Sequence, residues 1–325
     1  MNGSTHRRMR PLSFVFLLAA CSSDLSSTLD PFATYAAARW SEWLPPENAG
    51  APVNSANVEV NPFLSRDRLA LYFGCNGCPG GFGGFDLWVA RRASVDDPWG
   101  TPENLGAEIN SSANEASVSI SVDGHRMFFN SARAGGFGGN DIYMARRHDR
   151  NDHVGWTDLV NLGPNVNSSG NDQLPQPLDE GLDGLVLYFQ SERPGGPGGT
   201  DIYSSVLHED GTVDPAFVVE ELSSPYEERG PTFSRDGLET IFASDRPGTL
   251  GALDLWRATR ASARDEWSTP ENLGATVNGP GNDAGPKLSF DGRTLVFHSA
   301  LRPENIGGPF FDVWSTRRQK VTGRK

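Results

Sequence analysis

The sequence predicts an all-β fold, a five-bladed β-propeller of four-stranded antiparallel blades, and three observations carry that prediction. An Asp-aliphatic-aromatic triplet recurs five times, at Asp86, Asp141, Asp201, Asp254 and Asp312, with spacings of 55, 60, 53 and 58 residues. Repeats of that length are propeller blades. The chain carries 37 Gly and 23 Pro among 325 residues, well above the usual ~12 per cent, which favours turns over long helices. A strand of the outer type stands ahead of the first inner strand and none follows Trp314. The N-terminal outer strand is therefore expected to complete the last blade and leave no free edge at the seam.

Residues 1–20 read as a leader. Arg7, Arg8 and Arg10 precede the apolar run from Leu12 to Ala20, too short for a bilayer span of about 20 residues and of secretory form. Leu18-Ala19-Ala20-Cys21 resembles a bacterial lipobox, which implies lipidation at Cys21, export and attachment to the cell envelope at the outer membrane. Residues 21–39 read as a flexible tether, 40–318 as the propeller and 319–325 as a C-terminal tail.

Each repeat follows one itinerary. The outer-strand segment Trp99-Gly-Thr-Pro-Glu-Asn-Leu-Gly106 returns as Trp267-Ser-Thr-Pro-Glu-Asn-Leu-Gly274, with weaker copies from Trp43, Trp156 and Phe217. An inner strand then ends in Ser-x-Asp-Gly, as at Ser121 to Gly124, Ser234 to Gly237 and Ser289 to Gly292. A middle strand such as Leu185-Val-Leu-Tyr-Phe189 follows, then a Gly loop and the third strand at the Asp triplet. Short runs rich in aromatic and β-branched residues, bounded by Asp-Gly or Gly-Gly, are strand signals. No such unit buries both faces alone, so the blades must stack around a channel.

These motifs, with Arg133, Arg193, Arg246 and Arg302 at an Arg-x-Gly-Gly position, resemble the WD40-like propeller repeat of the TolB type over roughly residues 43–318. The resemblance implies an envelope interaction module, with an envelope protein or a peptidoglycan-associated partner. A net charge of −13 excludes nucleic acid as the expected partner, since phosphate binding draws on Lys and Arg. No Gly-x-Ser-x-Gly elbow supplies a peptidase nucleophile.

Aligned at their turns, the repeats place one acid at the entry of each inner strand: Glu59, Glu115, Asp172, Glu228 and Asp283. Five carboxylates at the channel mouth could bind a cationic ligand or Ca²⁺, or could instead bond backbone amides of their own or the next blade. Asn54, Asn110, Asn167 and Asn278 lie five residues earlier and read as turn residues. The fourth repeat lacks that Asn, which predicts a notch in the rim. The third-strand Asp is expected to anchor its Gly loop and to pair with the blade Arg. Cys75 and Cys78, unique to the first repeat, are expected to form a disulfide after export. Seven of the eight Trp sit in repeat register, Trp40 alone does not, and His298 is placed to face a neighbouring blade. No cofactor is expected. The function expected is non-catalytic binding of a protein or ligand. The alternative is a glycoside-acting hydrolase using paired carboxylates.

Overall fold

The computed structural model describes residues 40–182 and 184–321, apart from the side chains of residues 180–182. The leader, Cys21 and the tether lie outside the described residues. Strand β1 (Glu47–Asn48) precedes the first blade, which holds β2 (Val58–Leu64), β3 (Ala70–Asn76), β4 (Phe85–Arg91) and β5 (Glu103–Asn104). The second blade is β6 (Glu115–Ile120), β7 (Arg126–Ser131), β8 (Asp141–Arg146) and β9 (Thr157–Asn161). The third is β10 (Asp172–Leu182), β11 (Gly184–Ser191), β12 (Asp201–Leu207) and β13 (Phe217–Val218). The fourth is β14 (Glu228–Phe233), β15 (Glu239–Ser244), β16 (Asp254–Thr259) and β17 (Glu271–Asn272). The last combines β18 (Asp283–Leu288), β19 (Thr294–Ser299) and β20 (Asp312–Arg317) with β1 as its outer strand.

Ring closure thus follows the sequence expectation. Glu47 pairs with Ser315 and Asn48 with Trp314. The pairing continues past residue 318, because Trp40 bridges Lys320 and the Ser41 N–H donates to Gln319 O at 2.8 Å. Trp40, out of register in the sequence, packs its ring under the Arg318 guanidinium, 4.4 Å from the ring centroid. Most outer strands are shorter than expected, with regular pairing over two residues in four blades. In the four segments that open with Trp, that residue packs sideways instead of pairing, as Trp156 and Trp267 do in the interblade seams, whereas Phe217 pairs with Ser204.

The hydrophobic core is divided among the five seams. On β3, Tyr72 packs toward the second blade, whereas Leu71 and Phe73 pack toward the last. On β7, Met127 and Phe129 face the first blade while Phe128 faces the third. Alternation along a strand sends successive side chains to opposite faces, and in a blade both faces meet a neighbour. This is why the middle strands read as unbroken apolar runs. Full burial of each such side chain contributes about 1.5–3 kcal/mol.

Two irregularities repeat around the ring. Every inner strand is bulged two residues after its entry acid, with positive φ at Asn61, Ser117, Leu174, Gly230 and Gly285. At Gly285 a Cβ would approach Asn61 Oδ1 at 2.5 Å and His298 Nδ1 at 2.7 Å, so only Gly fits there. In the second, fourth and last blades the turn after the inner strand also needs positive φ, met by Gly124, Gly237 and Gly292. In the first blade Arg68 takes that position with φ of 62°, a conformation costing a side-chain-bearing residue roughly 1–2 kcal/mol.

Candidate functional site

The two ends of the channel differ in chemistry. At one end the inner strands begin, and there the five predicted acids stand. All are fully buried. Glu115 accepts from the Ser111 N–H at 2.7 Å, from the Ser111 hydroxyl at 2.6 Å and from the Ser131 hydroxyl at 2.6 Å, and Arg133 reaches it at 3.4 Å. Asp172 repeats the arrangement with Ser168, Ser191 and Arg193, and Glu228 with Ser224, Ser244 and Arg246. Asp283 accepts from the Gly279 N–H and pairs with Arg302 at 2.7 Å. The carboxylates therefore do not ring an open mouth as expected; each is locked inside its own blade. Four already carry a guanidinium, so the set offers no cluster of open oxygens to a hard cation such as Ca²⁺.

The Arg partner is the second correction. It grips the strand-entry acid and stacks over the aromatic residues beneath, as Arg193 does over Phe189 and Tyr203 at 5.3 and 4.8 Å. The third-strand Asp does not pair with it. Asp141 instead accepts from the Phe137 N–H at 2.7 Å and the Gly138 N–H at 3.2 Å, which anchors the Gly loop. Asn161 of the outer strand donates to Asp141 and accepts from Asn167. Asn167 in turn exchanges hydrogen bonds with the backbone of Ile142. Asn110 and Asn278 bond Leu87 and Leu255 in the same way, and Asn54 bonds Val313 across the seam. These Asn are strand-pairing surrogates rather than ligands. The expected notch in the fourth blade is also filled: its turn persists with Ser223 in the Asn place, accepting from the Ile202 N–H at 3.2 Å.

The first blade breaks the pattern. Cys75 stands opposite Glu59 where the other blades place Ser, and a disulfide joins it to Cys78 with a Cα separation of 5.8 Å. Glu59 retains Ser55 but meets no Arg among the described residues. Burial pushes its carboxyl up, against the pull of Ser55, and the charge of Asp312 adds to the rise. Burial raises Glu228 as well, opposed by Ser224 and Arg246. Glu59 and the two Cys lie close enough to share an ion, but the sulfurs are bonded to each other, which removes both thiolates as ligands.

At the other end the inner strands finish, and here a cavity of about 770 Å³ opens at the axis. That volume lies in the range of small-ligand pockets. The Ser-x-Asp turns line it, and their variable middle residues face it: Arg66, Val122, Arg235 and Phe290. The turn acids are engaged locally. Asp67 accepts from the Ser65 hydroxyl at 2.6 Å and the Leu69 N–H at 3.0 Å. Partial burial alone would raise its pKa, but these donors win and hold it below the usual carboxylate range. Asp123 is held down likewise by His125 N–H, Ser121 and Arg126, again against partial burial.

Arg147 lines the same cavity, donating to Gly124 O at 2.7 Å and to Asp152 O at 2.9 Å over the Trp156 ring. Arg92, Arg260 and Arg318 repeat that stack on Trp99, Trp267 and Trp43. Sequence reading overlooked this second Arg of the repeat, whose signal was its recurrence just past the third strand. It also overlooked Lys287, which crosses the channel from β18 to Pro175 O and Gln176 Oε1 at 3.1 and 2.9 Å. Burial alone brings its pKa down to about 7. His298 does face its neighbour, accepting from the Asn61 N–H at 3.1 Å. Burial pushes its pKa down to about 3.

Solved structures share the architecture. An alpha-L-arabinofuranosidase from Lactobacillus brevis is 13% identical, with a TM-score of 0.58 over 83% of this chain and 92% of its own. A glycoside hydrolase is 10% identical, with a TM-score of 0.60 over 92% and 97%. A putative TolB from Agrobacterium tumefaciens reaches a TM-score of 0.48 at 16% identity, over 87% and 99%. No family model matches the chain. No curated protein sequence matches it. At these identities the two likenesses with TM-scores above 0.5 show a shared fold and nothing about chemistry.

Proposed function

We propose that the protein is a non-catalytic binding propeller of TolB-like repeat architecture that receives its partner at the cavity end of the channel. One observation carries this reading: the acids at one end are buried and hydrogen-bonded, whereas the other end opens a cavity whose wall includes the middle residues of the Ser-x-Asp turns, which are not the same in every blade. Repeated positions build the scaffold, and the varied positions at the axis supply recognition. The lipobox-like leader supports tethering at Cys21 to the outer membrane, with an envelope or peptidoglycan-associated component as partner.

The glycosidase alternative needs one carboxyl able to give up a proton and a second carboxylate placed across the bond. Two of the three cavity acids, Asp67 and Asp123, are held ionised by their own turns, which does not suit the proton donor. The acid with a raised pKa that breaks the symmetry, Glu59, is sealed away from the cavity.

The reading is tested by capture from envelope extracts with the full-length protein. Val122→Trp, which fills the cavity rim, should reduce capture at least tenfold, while Phe137→Ala, on an exposed Gly-loop tip, should leave it unchanged. Equal capture by both variants, or turnover of a glycoside at wild-type level by the Val122→Trp variant, would remove the cavity as the binding surface.

A further inference from the structure

The cavity end concentrates positive charge in an acidic protein. Among its lining residues four guanidinium groups, Arg66, Arg147, Arg150 and Arg235, stand against the carboxylates of Asp67, Asp123 and Asp179, in a chain whose net charge is −13. Two of the four are held in place without being neutralised. Arg66 from the first blade and Arg235 from the fourth both lie over the ring of Phe290 in the last, with guanidinium carbons 4.4 and 4.7 Å from its centroid. Cation–π contact of this kind fixes the plane of the guanidinium and leaves its N–H edge free. Among the described residues neither side chain makes a hydrogen bond or an ion pair. The nearby Asp67 and Asp123 are turned back onto Ser65 and Ser121.

A second observation comes from beneath the cavity. Gln176 lines it, and its Oε1 accepts from Lys287. The Lys287 ammonium meets two neutral oxygens and no carboxylate among the described residues. Burial brings the Lys287 pKa down to about 7, and an anion bound above Gln176 would favour its charged form. Arginine presents its N–H donors as a planar fork matched to the two oxygens of a carboxylate or phosphate. The volume of about 770 Å³ admits a compact organic body behind the anionic group.

We propose that the cavity binds a small oxyanion-bearing ligand, a carboxylate or a phosphate, gripped between Arg66 and Arg235 beside Phe290. This rests on the reading that the cavity is the binding surface and names the chemical class it takes. Calorimetric titration of the full chain tests it with D-glucuronate, its neutral counterpart D-glucose, and inorganic phosphate. The expected result is one site for at least one of the two anions, with D-glucose at least tenfold weaker. Heat from glucuronate alone assigns the carboxylate, and heat from phosphate alone assigns the phosphate. Arg66→Ser with Arg235→Ser should weaken the bound anion at least tenfold, and Arg66→Lys with Arg235→Lys should restore part of the affinity. Equal binding of glucose, no binding of either anion, or full affinity in the double Ser variant overturns the proposal. If the anions fail while Val122→Trp still abolishes envelope capture, the ligand class falls and the binding surface stands.

Discussion

A single buried carboxyl separates the first blade from the other four. Glu115 is held by two Ser hydroxyls, a backbone N–H and Arg133, whereas Glu59 keeps only Ser55 and has its pKa raised by burial. A carboxyl whose pKa is higher in the folded state binds more protons there, so its contribution is complete below the unfolded value and fades as pH rises through the folded one. Glu59 thus weakens the fold above the ordinary carboxylate range, and Glu59→Gln should remove that loss. Urea unfolding at pH 4 and at pH 8 checks this: the variant should gain on wild type between the two values. Glu115→Gln should instead lose about 2–3 kcal/mol at pH 8 by leaving Arg133 without its anion. A loss of the same size in both variants at pH 8 would contradict the distinction.

At the level of the element, the disulfide occupies the place of a clamp. Blades two to four follow the strand-end Ser with an Arg two residues on, and the last blade spaces them as Ser299 and Arg302. Cys75 and Cys78 share that last spacing. Losing so short a loop constraint costs about 2 kcal/mol by chain entropy. Cys75→Ser with Cys78→Ala should lower the denaturation midpoint accordingly, and Cys75→Ser with Cys78→Arg should recover at least half of it by giving Glu59 the pair that its counterparts have. No recovery, measured by the same unfolding curves, would mean that the first blade cannot host the clamp. The strand-entry acids were legible in the sequence, as was the register of the Asp triplets, because both recur at fixed offsets. Their role was not, since an offset gives a position along the strand without saying whether the side chain meets solvent or a guanidinium. The Arg that binds them was visible too, but the third-strand Asp, just past the same Gly loop, drew the wrong pairing. The Asn-Ser turn of the fourth blade looked lost because Ser223 does with a hydroxyl what the other blades do with an amide.

For the whole molecule, five nearly equivalent blades create two unlike ends. Inner strands begin in a sealed layer of carboxylates and finish around an open cavity. The ring is closed by β1 on β20, which leaves no free edge at the seam. The cavity was the least legible feature. Its wall includes the middle residues of Ser-x-Asp, which look like noise in a repeat alignment because they are not constant: Arg66, Val122, Arg235, Phe290. Convergence on the axis, which only the folded ring supplies, turns those differences into one surface. The same geometry separates a scaffold of repeated polar bonds from a recognition site of unrepeated side chains. Site-specific photo-crosslinking in intact cells tests that separation most directly, with a photoreactive residue at Val122 on the cavity rim or at Phe137 on a Gly-loop tip, both exposed. The account predicts a discrete crosslinked species from position 122 and none from position 137. Crosslinking from 137 with silence at 122 would contradict it.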